Sequence, residues 1–507
     1  MSGPNGHGAR PAPLILTPLR IEARAVRGRV PGARVLRTGM GRRRAEAAAR
    51  TATGIDAGSV AVAGFCGAVA PSLRPGDIVV ATELRTADAV IPCSGGPLAA
   101  ALRSMGVERV HLGPIASLPH LVRAEERRTL ADTGVIAVDM ESAWLAPAAA
   151  DRPLAVLRVV VDTPDRPLSH VLATITGGLT AYRALRAAAP ALASWARAAG
   201  PRTVLLAGPR SFCAGVERAI EIVERALDRY GPPVYVRKQI VHNVHVVRDL
   251  ERRGAVFVDE LGEVPPSSRV VFSAHGVSPQ VRRDASQRNL KVIDATCPLV
   301  TKVHAEARRF ARAGYRIVLV GHEGHEEVEG TTGEAPEAIT LIEGAKEVDR
   351  LQIGNGDRVA YLTQTTLSVD EVDDVVVALR ERFPELAGPG SEDICYATSN
   401  RQDAVKALAR ECDLLLVIGS QNSSNSKRLV EVAEREGCTA KLLDDDSEID
   451  PDWLTGTTTV GVTAGASAPE VLVDRVIGAL AGLGPVAVEE RSVVEESMQF
   501  TLPIELR

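Results

Sequence analysis

Three cysteines constrain this chain more than any other feature. Cys213, Cys297 and Cys395 stand in TVLLAGPRSFCAGVERAIEIVERAL, LKVIDATCPLVTKVHAEARRF and EDICYATSNRQDAVKALAREC, each where an apolar run meets a helical pattern. The same grammar follows each one: a strand ending in a polar tip, a helix, and another strand ending in a polar tip. After Cys213 the tips are IVHNVH, with His242, and FSAHGVS, with His275. After Cys297 they are LVGHEGHEEVEGT, with His325 and Glu327, and LTQTTLS, with Thr365. After Cys395 they are VIGSQNSSNSKR, with Ser423, Ser424 and Asn425, and VTAGASAP, with Ser467. The gaps from cysteine to first tip are 29, 28 and 30; those from first to second tip are 33, 40 and 42. Recurrence at near-fixed spacing marks an internal repeat. It predicts three α/β units whose strand ends face one centre, each supplying a thiolate and two polar tips. Each cysteine falls in the turn that opens a helix, where free N–H groups and the positive dipole end favour a thiolate. A thiolate is the form a soft metal centre requires.

At 507 residues the chain exceeds one ordinary core, so two to four domains are expected. A net charge of −5 gives no nucleic-acid or membrane signal, and 3% aromatic residues provide no stacking platform for single strands. Seven cysteines, an odd number, argue against a disulfide framework. The first residues, MSGPNGHGARPAPLILTPLR, lack the apolar core of a signal peptide, and no stretch approaches a membrane span. A cytoplasmic, reducing location fits both observations.

Taken in order, residues 1–13 read as a flexible tail. Residues 14–200 alternate apolar runs (LILTPL, ARVLRTG, SVAVAGFCG, DIVVATEL, VIAVDME, LAVLRVVVD) with Ala/Arg-rich helical stretches, which predicts a three-layer α/β domain. It closes on LRAAAPALASWARAAGPR, read as one terminal helix running into a Gly-Pro break. Residues 201–485 carry the three repeats, and 486–507 form a C-terminal tail to which no fold is assigned.

Three thiolates from distant positions suit zinc or an iron–sulfur cluster. Structural zinc sites usually pair close-spaced cysteines, and none of these three has a C-x-x-C partner. A cluster on three thiolates leaves one iron open to a substrate oxygen. The plainer alternative is three unrelated interior cysteines, because free cysteine is commonly buried; their shared place in three repeats argues against it. Cys412 and Cys438 read as core, and Cys66 and Cys93 have no identifiable partner. Among the histidines, His245, His304 and His322 take a structural reading. His242, His275 and His325 occupy repeat tips, and with Ser423, Ser424, Asn425 and Ser467 they make a pocket of donors suited to a diphosphate. Glu327 is the odd member. A carboxylate among anion-binding groups is costly unless it handles protons; the alternative is a solvated acid in the run EGHEEVEGTTGE.

The stretches FCAGVERAI, VHN, SAHGVS, DATCPLVTKVH, GHEGHEEVEGT, TQTTLSV, DICYATSNRQ, GSQNSSNS and TAGASAPE, over about residues 203–484, resemble the signature of the 4-hydroxy-3-methylbut-2-enyl diphosphate reductase family. That family performs the last step of the methylerythritol phosphate route to isoprenoids. The resemblance implies one 4Fe–4S cluster on Cys213, Cys297 and Cys395, and a diphosphate held by His242, His275, His325, Ser423, Asn425 and Ser467. It also implies proton delivery by Glu327 and Thr365, beside His325, in a two-electron loss of water giving isopentenyl and dimethylallyl diphosphate. Two positions depart from the family pattern: Ser211 stands for Gly before Phe-Cys, and Glu326 for Pro after the histidine. No G-x-G-x-x-G follows a strand, so electrons are expected from a carrier protein such as a ferredoxin or flavodoxin.

In the front region, GMGRRRA and AGFCGAVAPSLRPGDIVVATEL place glycines at turns after strands, which could cradle a phosphate or nucleoside or simply punctuate the fold. Glu141 in VDMES suits a ribose diol, or caps a helix. Asp162 in RVVVDTPD ends an apolar strand, where an α/β site lies. Together these resemble the nucleoside phosphorylase and nucleosidase superfamily over about residues 14–195. The resemblance implies a purine nucleoside ligand, with Met140 and Glu141 at the ribose and Asp162 protonating the leaving base. Glu22 falls where hydrolytic members activate water. Thr17-Pro18 departs from a Gly-containing loop and the segment after Asp162 is Pro-rich, so the substrate stays open, as does hydrolysis against phosphorolysis. The expectation is a bifunctional chain. The alternatives are a front domain that only binds, or a cluster-containing redox sensor.

Overall fold

The computed structural model describes residues 11–122, 124–165, 171–354 and 356–507. Residues 1–10 of the expected tail, and 166–170 of the Pro-rich segment after Asp162, lie outside the described residues. The chain divides into two compact units. One is Met1–Val204 with Asp445–Thr459 and Asp474–Val488; the other is Leu205–Asp444 with Val460–Val473 and Glu489–Arg507.

The first unit is mixed α/β. Its strands are β1 Leu14–Thr17, β2 Arg34–Arg37, β3 Val60–Ala68, β4 Ile78–Arg85, β5 Val90–Pro92, β6 Val110–Ser117, β7 Ala137–Asp139 and β8 Leu154–Asp162. They form one sheet in the order β2-β1-β3-β7-β6-β4-β5, with β8 pairing β3 and β4. β3 and β8 run parallel along nine residues each and are almost wholly buried, as their unbroken apolar runs require. Two strands escaped the sequence pattern. β5 has three residues, and β6 reads VHLGPIAS, where Gly113-Pro114 interrupts the apolar alternation. The expected terminal helix is two helices, Val171–Ala188 and Ala191–Ala198. Pro190 stands between them, with no N–H to continue the first.

Twelve further strands among the described residues lie wholly or largely in the second unit: β9 Arg202–Gly208, β10 Val234–Arg237, β11 Ala255–Val258, β12 Arg269–Phe272, β13 Lys291–Asp294, β14 Arg316–Val320, β15 Ile339–Ile342, β16 Val359–Thr363, β17 Leu414–Ile418, β18 Thr439–Leu443, β19 Thr459–Ala464 and β20 Val486–Ser492. They make three sheets, β11-β10-β12-β13, β15-β14-β16 and β18-β17-β19-β9-β20. The threefold order is explicit in β11-β10-β12, β15-β14-β16 and β18-β17-β19, all parallel. A further position follows in each. It is β13 beside β12, β9 beside β19, and beside β16 a single parallel bridge, Ala360 to Ala387.

This order moves the repeat boundary. Cys297 follows β13, Cys395 follows the Ala387 bridge, and Cys213 follows β9. Each sheet therefore gathers two polar tips and the cysteine after them, and the third sheet takes its cysteine from the start of the region. The sequence spacing, which begins each repeat at a cysteine, is offset by one strand and helix. Helix Ala214–Tyr230 illustrates the local cause of each crossover. It buries Gly215, Ala219, Ile222, Val223, Ala226 and Leu227 at helical spacing, and Gly231, at φ 72°, ends it. The last residues are not free: β20 joins the sheet beside β9, and Leu506 is buried with Ala219, Ile222 and Val236.

Candidate functional site

Cys213, Cys297 and Cys395 are the N-cap residues of helices Ala214–Tyr230, Pro298–Arg312 and Tyr396–Ala409. All three line one cavity of the second unit. A Cβ added to Gly215 would come within 2.8 Å of Cys297 Sγ and 3.8 Å of Cys213 Sγ. Both sulfurs thus border a space that exists because residue 215 has no side chain. Cys395 Sγ accepts the Thr398 N–H at 3.3 Å and lies 3.0 Å from its hydroxyl. The N–H groups at the helix starts do pull these thiols down, as expected from the sequence, but burial outweighs them. Burial pushes Cys297 up to about 12 and Cys395 up to about 11, the neighbouring thiols add to the rise, and the N–H groups pull back less. Burial raises Cys213 as well. No Lys or Arg is among the described lining residues. Three half-buried thiols raised in this way ionise when a metal binds them. The donor set fits a cluster with three protein sulfurs, and no fourth cysteine is among the described lining residues. Cys412 and Cys438 lie 3.7 Å from each other and pack with the core of the third sheet.

The same cavity is lined by His242, His275, His325, Ser423, Ser424, Asn425 and Ser467. The imidazoles of His242 and His275 stack at 4.0 Å between ring centroids, and His325 meets them edge-on at 5.5 and 5.9 Å. Burial and the adjacent rings push His242 down to about 2 and His325 down to about 4, so both are neutral near pH 7. His325 is the N-cap of helix Glu326–Thr332, and its Nδ1 accepts the Glu327 N–H at 3.2 Å. A neutral ring accepting at Nδ1 carries its proton on Nε2. Both amide atoms of Asn425 are buried without a partner, an arrangement that calls for a polar ligand. Ser467 donates to the His242 carbonyl at 2.9 Å, and Ser423 accepts the Ser426 hydroxyl at 3.0 Å.

Glu327 is buried, not a solvated loop acid. Its Oε1 accepts the Thr365 N–H at 2.7 Å and its Oε2 accepts the Thr365 hydroxyl at 3.1 Å. Burial outweighs these bonds and pushes the carboxyl up to about 7. Glu326 behaves oppositely. Burial would raise it, but bonds from His275 at 3.2 Å and Ser273 at 3.3 Å, with the nearby histidines, hold it below the usual carboxylate range.

In the first unit, Glu22, Met140, Glu141 and Asp162 line a separate cavity. Glu22 accepts N–H groups from Leu19 at 2.6 Å and Phe65 at 2.8 Å, and burial pushes it up to about 7. Glu141 accepts the Gly41 N–H at 3.0 Å, which gives the GMG turn a role. Two groups there were missed in the sequence. Arg158, fully buried, sits 2.9 Å from Asp139 and 3.9 Å from Glu141. Arg127 pairs with Asp162 and donates to the Ala68 carbonyl at 2.9 Å. Asp162 is raised by burial against the pull of Arg127. Both arginines stand in segments whose pattern reads as ordinary strand or helix, so only tertiary contact reveals them.

Sequence reasoning also missed lining residues in the second unit. Tyr396 and Thr398 stand beside a named cysteine, and Phe500 comes from the unassigned tail. Arg401 anchors that tail. It is fully buried, donates to the Ser211 carbonyl at 2.7 Å, and pairs with Glu496 at 3.0 Å. Ser211 adopts φ 59°, the conformation glycine takes most easily, and its hydroxyl donates to Glu470 at 2.5 Å.

Comparison with known proteins follows the two units. Residues 204–481 match the family model described as LytB protein, and residues 20–189 match the Phosphorylase superfamily model. A protein of Leifsonia xyli named 4-hydroxy-3-methylbut-2-enyl diphosphate reductase is 60% identical over 309 residues, covering 61% of this chain and 92% of the relative. One from Mycobacterium tuberculosis, named 4-hydroxy-3-methylbut-2-enyl diphosphate reductase 1, is 58% identical over 314 residues, covering 61% and 95%. The solved structure of the E-1-hydroxy-2-methyl-but-2-enyl-4-diphosphate reductase from Plasmodium falciparum shares 38% identity at a TM-score of 0.59, covering 61% of this chain and 97% of that one. With its three cysteines at one cavity and a family match over more than half its length, the chain belongs to the LytB protein family.

Proposed function

We infer that the second unit reduces 4-hydroxy-3-methylbut-2-enyl diphosphate to isopentenyl diphosphate and dimethylallyl diphosphate. The carrying observation is the shared cavity, where three sulfurs, three histidines and a buried carboxyl meet. Cys213, Cys297 and Cys395 would hold a 4Fe–4S cluster, which when bound supplies reducing electrons and one iron site without a protein ligand. Overall, the substrate takes up two electrons and two protons and loses water. Glu327, pushed up to about 7, is about half protonated at neutral pH, and in that form gives its proton to the departing hydroxyl. Thr365 fixes the plane of that carboxyl through both oxygens. His325 offers Nε2–H to the diphosphate while neutral, and Asn425 offers its unpaired amide. His242, His275, Ser423, Ser424 and Ser467 complete the anion pocket. Electrons come from a carrier protein of the ferredoxin or flavodoxin kind. Anaerobically purified chain, given a chemical reductant and the allylic diphosphate, is expected to release both products. A reduced, iron-loaded chain that leaves the substrate untouched would favour the redox-sensor reading.

The first unit is proposed to act on a purine nucleoside. Glu22 activates water or orients a phosphate, Met140 and Glu141 hold the ribose, and Asp162 meets the leaving base. The support is the single cavity these residues share, together with the match to the Phosphorylase superfamily. Incubating the full chain with adenosine-type nucleosides, with and without phosphate, tests it. Release of no free base would make this unit a binding module.

A further inference from the structure

We propose that the anion pocket of the second unit takes up a proton at His275 when it binds a diphosphate, and that Glu326 fixes the place of that uptake. The inference rests on the reductase reading of this cavity. Hydrogen-bond direction carries it. Nδ1 of His275 lies 3.2 Å from Glu326 Oε2, and an ionised carboxylate only accepts, so Nδ1 bears the proton. His275 can then donate to a phosphate oxygen only through Nε2, which requires the imidazolium. His242 is in the same position, because its Nδ1 faces Gln239 Oε1 at 3.4 Å and that oxygen accepts from Asn422 at 2.8 Å. His325 alone of the three donates at Nε2 while neutral. The described lining residues include no Lys or Arg, so no fixed cation meets the ligand.

Between the two candidates, Glu326 gives the His275 imidazolium a counter-charge, whereas His242 has no carboxylate partner and is pushed down to about 2 by burial and the adjoining rings. The titratable groups around His275 are His242, His325, Glu326 and Glu327. Behind them, His322 faces His325 and bonds Arg428. A metal ion on His242, His275 and Glu326 is a poorer account. Two rings stacked at 17° direct their in-plane lone pairs side by side, not at one point.

Calorimetry on full-length, anaerobically purified chain tests this, with isopentenyl diphosphate as probe at pH 8 in buffers of different ionisation heat. The heat is expected to track the buffer, giving uptake of about one proton per chain. His275→Asn should remove most of that uptake. Glu326→Gln should also lose most of it. Buffer-independent heat in the native chain, or unchanged uptake in both variants, overturns the proposal while turnover leaves the reductase reading intact. Absence of both binding and turnover overturns the two together.

Discussion

Two adjacent carboxyls in one turn, Glu326 and Glu327, are driven in opposite directions by what surrounds them. Glu327 has Thr365 and the more weakly acting His275 against a larger burial cost, which pushes its carboxyl up to about 7. If it delivers the proton, kcat/KM should fall above about pH 7, and Glu327→Gln should cut turnover by about 10²–10⁴ with iron content unchanged. Unchanged rates in that variant would remove Glu327 from the reaction. A stability consequence follows with a definite sign. Between 4.5 and about 7 the folded chain keeps a proton that the unfolded chain releases, so this group's contribution is full below 4.5 and is lost as pH rises to about 7. Urea melts of native chain and Glu327→Gln at both ends of that window should show the slope shrinking in the variant. The residue types at this site were legible in the sequence because they sit at repeat tips. The opposite behaviour of Glu326 and Glu327 was not, because it depends on His275 and Thr365, about fifty and forty positions away.

At the scale of elements, the cradle proposed for the cluster is a helix start, and its glycine matters as much as its cysteine. Gly215→Ala places a methyl 2.8 Å from Cys297 Sγ. The helix itself gains a better former, so circular dichroism should hold while bound iron drops. Retained iron and activity in that variant would show the sulfurs are not crowded there. Arg401 makes a different kind of claim, because it bonds the Ser211 carbonyl and Glu496 from a fully buried position. Arg401→Ala should destabilise by about 3–5 kcal/mol, since removing one partner strands the other in the interior. A denaturation midpoint within experimental error of the native one would contradict it. The strands ending in tips were readable from apolar runs closed by polar clusters. β11, β15 and β18 were not, since four or five residues at a sheet edge give too short a pattern. β20 was hidden by charge: VAVEERS is mostly exposed and reads as a tail.

For the whole molecule, the sequence carried the three sheets and the first unit as α/β, because buried parallel strands leave long apolar runs. Units counted from the cysteines are offset from the sheets by one strand, since β9 pairs β19 across more than two hundred positions. The two cavities lie in different compact units, which makes their chemistries separable. In the full chain, Asp162→Asn or Glu22→Gln should abolish base release from a nucleoside and leave reductase turnover within about twofold. Loss of both activities would contradict independent sites. Everything proposed for the second unit depends on three sulfurs holding iron with one corner left free. Mössbauer spectroscopy of anaerobically isolated chain measures that directly. The account predicts about four irons per chain with one spectroscopically distinct, and loss of the signal in Cys297→Ser. Four equivalent irons, or a full signal in Cys297→Ser, would contradict it.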